Sequence, residues 1–232
     1  MKKYLSLVFM IMVLLSVSIL AKQTIPVFSL HQAPAEVPKQ LVVIDPGHGG
    51  RDPGKVGVNN ALEKEINLAI SYKVKALLEQ NDFEVILTRQ TDEGLYTDSD
   101  VSKKSGDMRR RVAIINDNDP IVAVSIHQNS FPDESCKGTQ VFYHVNSPNG
   151  KMFGELMQQA IEETVNNGKH RSAKSNNNYY MLKNTECPTV IVECGFLSNY
   201  EECELLCTEE YQDKIAWGIY MGIVRYINKS EG

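Results

Sequence analysis

Apolar and polar positions follow two different periods along the chain from residue 40 onward. Three stretches are almost entirely apolar, as expected of strands covered on both faces of a sheet: residues 41–45, 121–126 and 189–193. Further strands are predicted over residues 83–89 and 139–145. Helical spacing of apolar residues predicts helices over residues 63–80, 106–118, 148–167 and 209–228. This order predicts one α/β domain, with a mostly parallel central sheet of about five or six strands and helices on both faces.

Two helix starts carry capping signals. Ser147 precedes Pro148, which matches an N-cap followed by proline at the first helical position. Asn199 is followed three residues later by Glu202, as in a capping box, in which each residue bonds the backbone N–H of the other. These signals support the helix from residue 148 and indicate another helix start after Asn199.

The N-terminal part of the chain has the composition of an export signal. A positive start with two lysines is followed by residues 4–21, which carry no charge. This apolar run is long for a cleaved leader and short for a membrane-spanning helix, which needs about 20 residues. We expect residues 1–21 to be a signal peptide or a membrane anchor, and cleavage and retention both stay open. Residues 22–39 contain three prolines and predict a linker, so the folded domain spans residues 40–229.

Charge and cysteine content narrow the class of protein. The formal net charge of −5 argues against nucleic-acid binding, because nucleic-acid-binding proteins usually carry a basic face. The one strong basic cluster, Arg109 to Arg111, is expected to be a solvated helix face. Five cysteines without paired C-x-x-C motifs argue against a structural zinc site, and we expect most of them to be small buried hydrophobic residues.

Three polar side chains lie where the most apolar predicted strands end. His48 follows residues 41–45 after a tight turn, His127 directly follows residues 121–126, and Glu193 ends the third strand. In sheets of this class the chemistry collects beyond the carboxyl ends of parallel strands. We therefore expect these three side chains to lie close together.

The donors at these positions match a catalytic zinc site. Such a site uses three protein ligands and keeps one position open, and two His with one carboxylate is a common set. His48 and His127 are the imidazole candidates, and Glu63, at the start of a predicted helix, is the candidate third ligand. Glu193 is then the candidate general base, because a carboxylate that ends a buried strand is costly unless it is paired or close to a metal.

Each of these residues has a simpler explanation. Glu63 is also at the spacing of a capping box with Asn60. His48 can be an ordinary turn residue, and His127 an edge histidine. Glu65 is a rival ligand, although it points to a different helix face. The remaining histidines are expected to be structural or exposed: His31, His144 and His170.

Four stretches match, in the same order, the motifs of a known family: VIDPGHGGRDPG (43–54), LEKEINLAI (62–70), SIHQNS (125–130) with KGTQVFY (137–143), and PTVIVECGFLSN (188–199). The chain resembles the zinc-dependent N-acetylmuramoyl-L-alanine amidases of the amidase 3 type, over about residues 41–228. The resemblance implies Zn²⁺-dependent hydrolysis of the amide bond between N-acetylmuramic acid and L-alanine in peptidoglycan. It also implies that residues 40–229 are the catalytic domain.

The resemblance also implies roles for individual residues. His48, Glu63 and His127 correspond to the zinc ligands of the family, and Glu193 corresponds to its catalytic glutamate. Asn129 is a candidate contact to the substrate, near the oxyanion. Gln128 departs from the family, in which many members carry a small residue after the histidine, and it is expected to alter the rim of the groove.

Within the family, residues 179–199, the short domain and the simple leader are most similar to the spore cortex amidases required for germination. This similarity implies an exported protein, secreted or membrane-anchored, that acts in the cortex, in the forespore intermembrane space. There, removal of stem peptides allows muramic lactam formation. A vegetative cell-wall amidase, another zinc amidohydrolase and a zinc-containing wall-binding module without turnover are the alternatives. A single domain without wall-binding repeats is also expected to use an accessory membrane or lipoprotein partner.

Overall fold

The central element of the domain is a sheet of six strands in the order β2-β1-β3-β6-β4-β5. The structure is a computed structural model and describes residues 4–5, 8–16, 39–165 and 170–230. The strands are β1 (Leu41–Pro46), β2 (Glu84–Leu87), β3 (Val122–Asn129), β4 (Gln140–His144), β5 (Lys174–Asn176) and β6 (Thr189–Phe196). Strands β2, β1, β3 and β6 are mutually parallel, and β4 runs antiparallel to β6. The predicted α/β architecture is confirmed.

Helices cover both faces of this sheet. They are α1 (Glu63–Glu79), α2 (Lys103–Asp117), α3 (Pro148–Val165), α4 (Tyr180–Asn184), α5 (Tyr200–Leu206) and α6 (Glu209–Ser230). Alternate residues of β1 divide between the two faces, since successive strand side chains point in opposite directions. Val42 and Ile44 pack in the large core with α1, α3 and α6, whereas Val43 packs with residues of α2 and α4. The carboxyl ends of the parallel strands therefore open between the two helix layers.

The structure differs from the predicted boundaries where polar residues belong to regular elements. Strand β3 continues to Asn129, so His127 lies inside the strand and not after it. Helix α2 begins at Lys103, capped by Ser102, whose side chain accepts the N–H of Ser105. Strand β5 was not predicted, because it is a polar three-residue strand that pairs only with β4 at the edge of the sheet. Helix α4 was not predicted either, because it is five residues long and has no side-chain cap at its start.

The two capping signals have different outcomes. Ser147 accepts the backbone N–H of Gly150 at 2.9 Å, as predicted for an N-cap. Asn199 accepts the N–H of Glu202 at 2.9 Å, which is half of a capping box. Glu202 does not complete the box, because its buried carboxylate accepts the N–H groups of Phe196 and Gly138 instead. It thereby ties the end of β6 to the loop before β4.

The expectation that most cysteines are buried is wrong. Cys194 and Cys203 are buried, Cys136 and Cys187 are half-buried, and Cys207 is exposed. Cys136 lies in the loop before β4 and Cys207 is the C-cap of α5, where the backbone reaches the surface. All five thiols, each within the described part of the chain, are free.

The N-terminal segment forms a unit of its own, residues 1–38. Residues 4–5 and 8–16 are helical, and their apolar side chains are exposed. No helix among the described residues is both long and apolar enough to cross a membrane. The rest of the predicted leader and nearly all of the predicted linker, residues 17–38, lie outside the described residues, as does His31.

Candidate metal centre

Four side chains meet at the carboxyl ends of the parallel strands, as the sequence predicts. His48 lies in the turn after β1, and Glu63 is the first residue of α1. His127 on β3 is the direct register partner of Glu193 on β6. All four line one cavity of about 960 Å³. The fold therefore assembles residues that are far apart in sequence at one end of the sheet.

His48, Glu63 and His127 converge closely enough to share one metal ion. Their ligand atoms all lie within 4.8 Å of one another. Glu63 Oε1 is 3.2 Å from His48 Nε2 and 3.0 Å from His127 Nδ1. Ligand atoms around a tetrahedral zinc ion are separated by roughly 3.3 Å, given metal–ligand bonds of about 2.0–2.2 Å. Two imidazoles and a carboxylate at these separations fit a three-ligand metal site.

A hydrogen bond from His48 Nδ1 to the carboxylate of Asp52 orients the His48 ring. His48 has a left-handed backbone with φ 61°, so the turn does constrain it, but its Nδ1 also lies 2.9 Å from Asp52 Oδ2. A carboxylate on one imidazole nitrogen leaves the other free to bind a metal. Here the free nitrogen is Nε2, which faces Glu63. Asp52 was not predicted as a partner of His48, although its position four residues after a candidate ligand was a usable signal.

The backbone beside the cluster has to be glycine. A Cβ on Gly54 would lie 2.5 Å from Glu63 Oε2, and Gly54 also has φ 69°. A Cβ on Gly47 would lie 2.2 Å from the His127 ring. The glycines of the turn thus let the chain pass directly against the candidate ligands.

Glu63 is held as a buried carboxylate. Its Oε2 accepts the N–H of Lys55 at 2.7 Å, and its Oε1 accepts the N–H of Gln128 at 3.0 Å. Burial alone would raise the pKa of Glu63, but hydrogen bonds and charge from His127 and His48 hold that pKa well below its usual range. The capping-box explanation is wrong, because the N-cap of α1 is Leu62 and no side chain caps the helix. The rival Glu65 is exposed.

Two buried amides control the orientation of Glu63. Gln128 Nε2 donates to Asn67 Oδ1 at 3.1 Å, which directs the Asn67 NH₂ group away from Gln128. That NH₂ group donates to the carbonyl of Gly47 at 3.2 Å and to Glu63 Oε1 at 3.4 Å. Gln128 is 3% exposed, so the expectation that it shapes the groove rim is wrong. It acts from inside the site, through Asn67.

Glu193 is the one carboxylate of the cluster with an unpartnered oxygen. Its Oε2 is buried and has no hydrogen-bond partner among the described residues. Burial raises the pKa of Glu193 to about 7, with a further upward contribution from Glu63 and opposing contributions from His127 and His48. Burial and the nearby charge of Glu193 also raise the pKa of Tyr179, which lines the same cavity. A carboxylate that titrates close to neutral pH in a cavity is suited to exchanging a proton.

Asn129 lines the cavity, but its side chain is partly engaged. Its Oδ1 accepts the N–H of Ser130 at 2.8 Å, and its NH₂ group makes no hydrogen bond within the described part of the protein. The other histidines lie elsewhere: His144 is half-buried at the end of β4, and His170 is exposed beside Glu162. Neither lines the cavity.

Arg111 fixes the turn that carries His48. Its guanidinium donates to Asp45 Oδ1 at 2.8 Å, to the carbonyl of Pro46 at 2.7 Å and to the carbonyl of His48 at 2.6 Å. Arg111 is 1% exposed, so the prediction of a solvated basic face is wrong for this residue. It holds for Arg109 and Arg110, which are partly exposed and pair with Asp100.

Asp45 remains ionised beside this arginine. Burial alone would raise its pKa, but Arg111 and the hydroxyls of Ser125 and Thr88 outweigh burial and lower the pKa of Asp45. Both hydroxyls donate to the carboxylate, at 2.6 Å and 2.5 Å. The pair therefore couples β1 to α2 directly beneath the candidate metal centre.

Comparisons with known proteins show the family to which the chain belongs. A family model described as N-acetylmuramoyl-L-alanine amidase (Amidase_3) matches residues 42–225. The chain is 34% identical over 193 residues to the germination-specific N-acetylmuramoyl-L-alanine amidase of Bacillus subtilis (strain 168), covering 82% of this chain and 81% of that protein.

The chain is also similar to a solved structure of the CwlD amidase from Clostridioides difficile in complex with the GerS lipoprotein. The TM-score is 0.79 at 37% identity, with 82% of this chain and 100% of that chain covered. The catalytic domain of the amidase CwlV from Bacillus (Paenibacillus) polymyxa var. colistinus gives a TM-score of 0.72 at 33% identity, with 82% and 98% covered. The chain belongs to the N-acetylmuramoyl-L-alanine amidase family.

Proposed function

We propose that this amidase is zinc-dependent and hydrolyses the bond between N-acetylmuramic acid and L-alanine, with His48, Glu63 and His127 as the zinc ligands and Glu193 as the general base. One observation carries the proposal: three convergent donors share a cavity with a buried carboxylate that has an unpartnered oxygen. A structural zinc site usually fills all four positions and needs no base. This arrangement favours turnover over a purely structural role.

The donor set favours zinc over harder cations. Mg²⁺ and Ca²⁺ prefer sites built from oxygen alone, whereas imidazole nitrogen suits zinc and its neighbours in the transition series. When bound, Zn²⁺ supplies Lewis acidity, which polarises the amide carbonyl and lowers the pKa of a water molecule. Asp52 holds His48 in the tautomer that presents Nε2, and Asn67 directs an oxygen of Glu63 toward the same point.

Glu193 moves the proton in this proposal. Its ionised form takes a proton from the attacking water, and its protonated form gives that proton to the leaving amine of L-alanine. The pKa of about 7 allows both forms to exist near neutral pH. The free NH₂ group of Asn129 is the candidate donor to the carbonyl oxygen of the scissile amide.

The test of this proposal follows the cleaved bond and the metal together. Purified full-length protein is treated with a chelator, and peptidoglycan is digested before and after zinc is restored. We expect mass spectrometry to show zinc-dependent release of stem peptides with free L-alanine amino termini. Cleavage inside the stem would instead indicate a peptidase, and loss of acetyl groups a deacetylase. Intact glycan and stems in every sample would favour the wall-binding alternative.

The cortex role is the finer part of the proposal. It is supported by the similarity to the germination-specific amidase of Bacillus subtilis. Amidase action on cortex would yield muramic acid without a stem, which a deacetylase can convert to muramic lactam. Faster digestion of purified cortex than of vegetative peptidoglycan would support this role. The opposite preference would favour the vegetative-wall alternative.

Location and partner follow from the same proposal. We place the protein outside the cytoplasm, secreted or anchored by residues 1–21, because its substrate is there. An accessory lipoprotein partner is supported by the similar CwlD amidase, which was solved in complex with the GerS lipoprotein. Full activity of the isolated protein at physiological concentration would remove the need for such a partner.

A further inference from the structure

Three exposed cations line the candidate active-site cavity, and none of them forms a salt bridge within the described ranges. Arg51, Lys55 and Lys104 are exposed, line the cavity, and make no side-chain hydrogen bond or ion pair with any described residue. Most other lysines and arginines in the described ranges are paired, such as Lys64 with Asp92 and Lys137 with Glu201. Other unpaired cations of the described ranges, Lys174, Lys183 and Lys229, lie outside the cavity and apart from these three.

Most acidic residues of the same cavity bind protein groups other than these cations; the charge of Lys104 contributes to the lowered pKa of Asp52, and Glu193 is buried. Asp52 binds His48 and the N–H of Gly54. Asp107 binds Arg111 and the N–H of Leu95. Asp45 and Glu63 are buried in the contacts described above. Since the whole chain has a net charge of −5, a basic rim at this cavity does not reflect a generally basic protein.

Rigid backbone holds all three cations at the cavity. The N–H of Arg51 donates to the Tyr96 hydroxyl at 3.1 Å, and the N–H of Lys55 donates to Glu63 Oε2. Lys104 lies in the first turn of α2, where the helix dipole adds positive potential. Charges of one sign around a cleft with low-dielectric walls concentrate the field inside it. The rim is thus suited to an anionic ligand that enters the cavity.

We propose that Arg51, Lys55 and Lys104 form a carboxylate-binding rim that holds the stem peptide of the substrate during cleavage. The proposal rests on the proposed function, because it assigns the peptide side of the same site. Stem peptides carry free carboxylates within their first few residues and at their end. An extended peptide spans about 3.5 Å per residue, so the first three residues lie within roughly 11 Å of the scissile amide. Binding these carboxylates selects stems with free acids over stems whose acids are amidated.

The rim is expected to act on binding and not on the chemical step. The three cations contact carboxylates that do not react, so their loss raises KM and leaves kcat unchanged. Exposed ion pairs are individually weak and sensitive to salt. The effect is therefore largest when all three are removed together and when the ionic strength is low.

The experiment compares two substrates and two triple variants of the full-length protein. The substrates are muropeptides with free carboxylates and the same muropeptides with those carboxylates amidated. One variant combines Arg51→Gln, Lys55→Gln and Lys104→Gln. The control combines Lys174→Gln, Lys183→Gln and Lys229→Gln, which removes the same charge from exposed lysines that lie outside the cavity and have no described side-chain partner.

We expect the KM of the unmodified protein to be about tenfold lower for the free-acid substrate than for the amidated substrate, because amidation removes the charges that the rim binds. The rim variant loses this preference while its kcat and zinc content stay unchanged, and the control variant keeps the preference. Equal KM values of the unmodified protein for both substrates would overturn the rim and leave the proposed function intact. A preference retained by the rim variant would also overturn it. Cleavage of neither substrate would overturn the proposed function itself.

Discussion

His127 and Glu193 are direct register partners on two adjacent parallel strands, β3 and β6. Parallel partners in register project to the same face of a sheet. The pairing therefore places the candidate base beside a candidate metal ligand without any contribution from a loop. The pairing shifts register after His127, so Asn129 is the partner of Phe196 and not of Gly195. The strand pairing thus sets the distance between a candidate metal ligand and the candidate base.

The role of Glu193 predicts a separation of metal binding from turnover. Glu193→Gln keeps the side-chain shape but removes the proton acceptor, so kcat should fall by about 10²–10⁴-fold. Zinc content should stay unchanged, because Glu193 is not among the three convergent donors. Both are measured on the same preparation, by peptide release and by elemental analysis. Turnover close to that of the unmodified protein would contradict the base assignment.

Glu193 should also lower the unfolding free energy of the metal-free protein as the pH rises. Its folded pKa of about 7 lies above the usual value near 4.3, so its contribution to stability is complete below about pH 4. That contribution declines as pH rises and is lost above about pH 7. Relative to the unmodified protein, Glu193→Gln should therefore gain up to about 3 kcal/mol of unfolding free energy between pH 4 and pH 8.

Urea unfolding of both metal-free proteins across this pH range measures that difference. Glu84→Gln is a suitable control, because the Glu84 side chain is exposed and has no described side-chain partner. A constant difference between the Glu193→Gln variant and the unmodified protein at all pH values would show that Glu193 titrates normally.

The amide pair behind Glu63 predicts a loss of metal affinity. Gln128→Ala removes the donor that orients Asn67, and Asn67→Ala removes the donor to Glu63. Loss of partners that orient a ligand typically weakens metal binding by about 10–100-fold. Competition with a zinc chelator measures the affinity directly, and Gln159→Ala on the exposed face of α3 is the control. Unchanged zinc affinity in both variants would mean that the amide pair only fills space.

Arg111 and Arg109, two residues apart on α2, should differ sharply in their contribution to stability. Arg111→Met leaves buried Asp45 without its counterion, which typically costs about 3–5 kcal/mol. Arg109→Met breaks a pair in which the arginine side chain is 59% exposed, so it should cost less than about 1 kcal/mol. Chemical unfolding of the two variants measures both costs. Similar costs for the two substitutions would contradict the central place given to the Asp45–Arg111 pair.

The placement of the candidate metal-site residues was predictable because it depends on a simple topological rule. Parallel strands bring their carboxyl ends to one edge, and β1, β3 and β6 are apolar enough to be recognised as buried strands. Glu63 could be proposed as a ligand from its position at a helix start, but its capping alternative could be removed only by the observed start of α1.

The partners of these residues were not predictable in the same way. The burial of Arg111 depends on Asp45, 66 residues earlier in the chain, and nothing in the polar stretch around Arg111 distinguishes it from its exposed neighbours. Gln128 likewise reaches Asn67 across 61 residues. Such contacts depend on helix rotation and strand register, which hydrophobic periodicity specifies only to the level of a face.

Diffraction data collected at the zinc absorption edge from crystals of the zinc-loaded protein would test the central claim most directly. We expect one anomalous peak bound by His48, Glu63 and His127 at about 2.0–2.2 Å, with an exchangeable water and with Glu193 outside coordination distance. Such a site is open to substrate and has its base beside it. A peak with Glu193 as a fourth ligand and no water would mean a closed structural site, and a peak elsewhere would contradict the metal centre altogether.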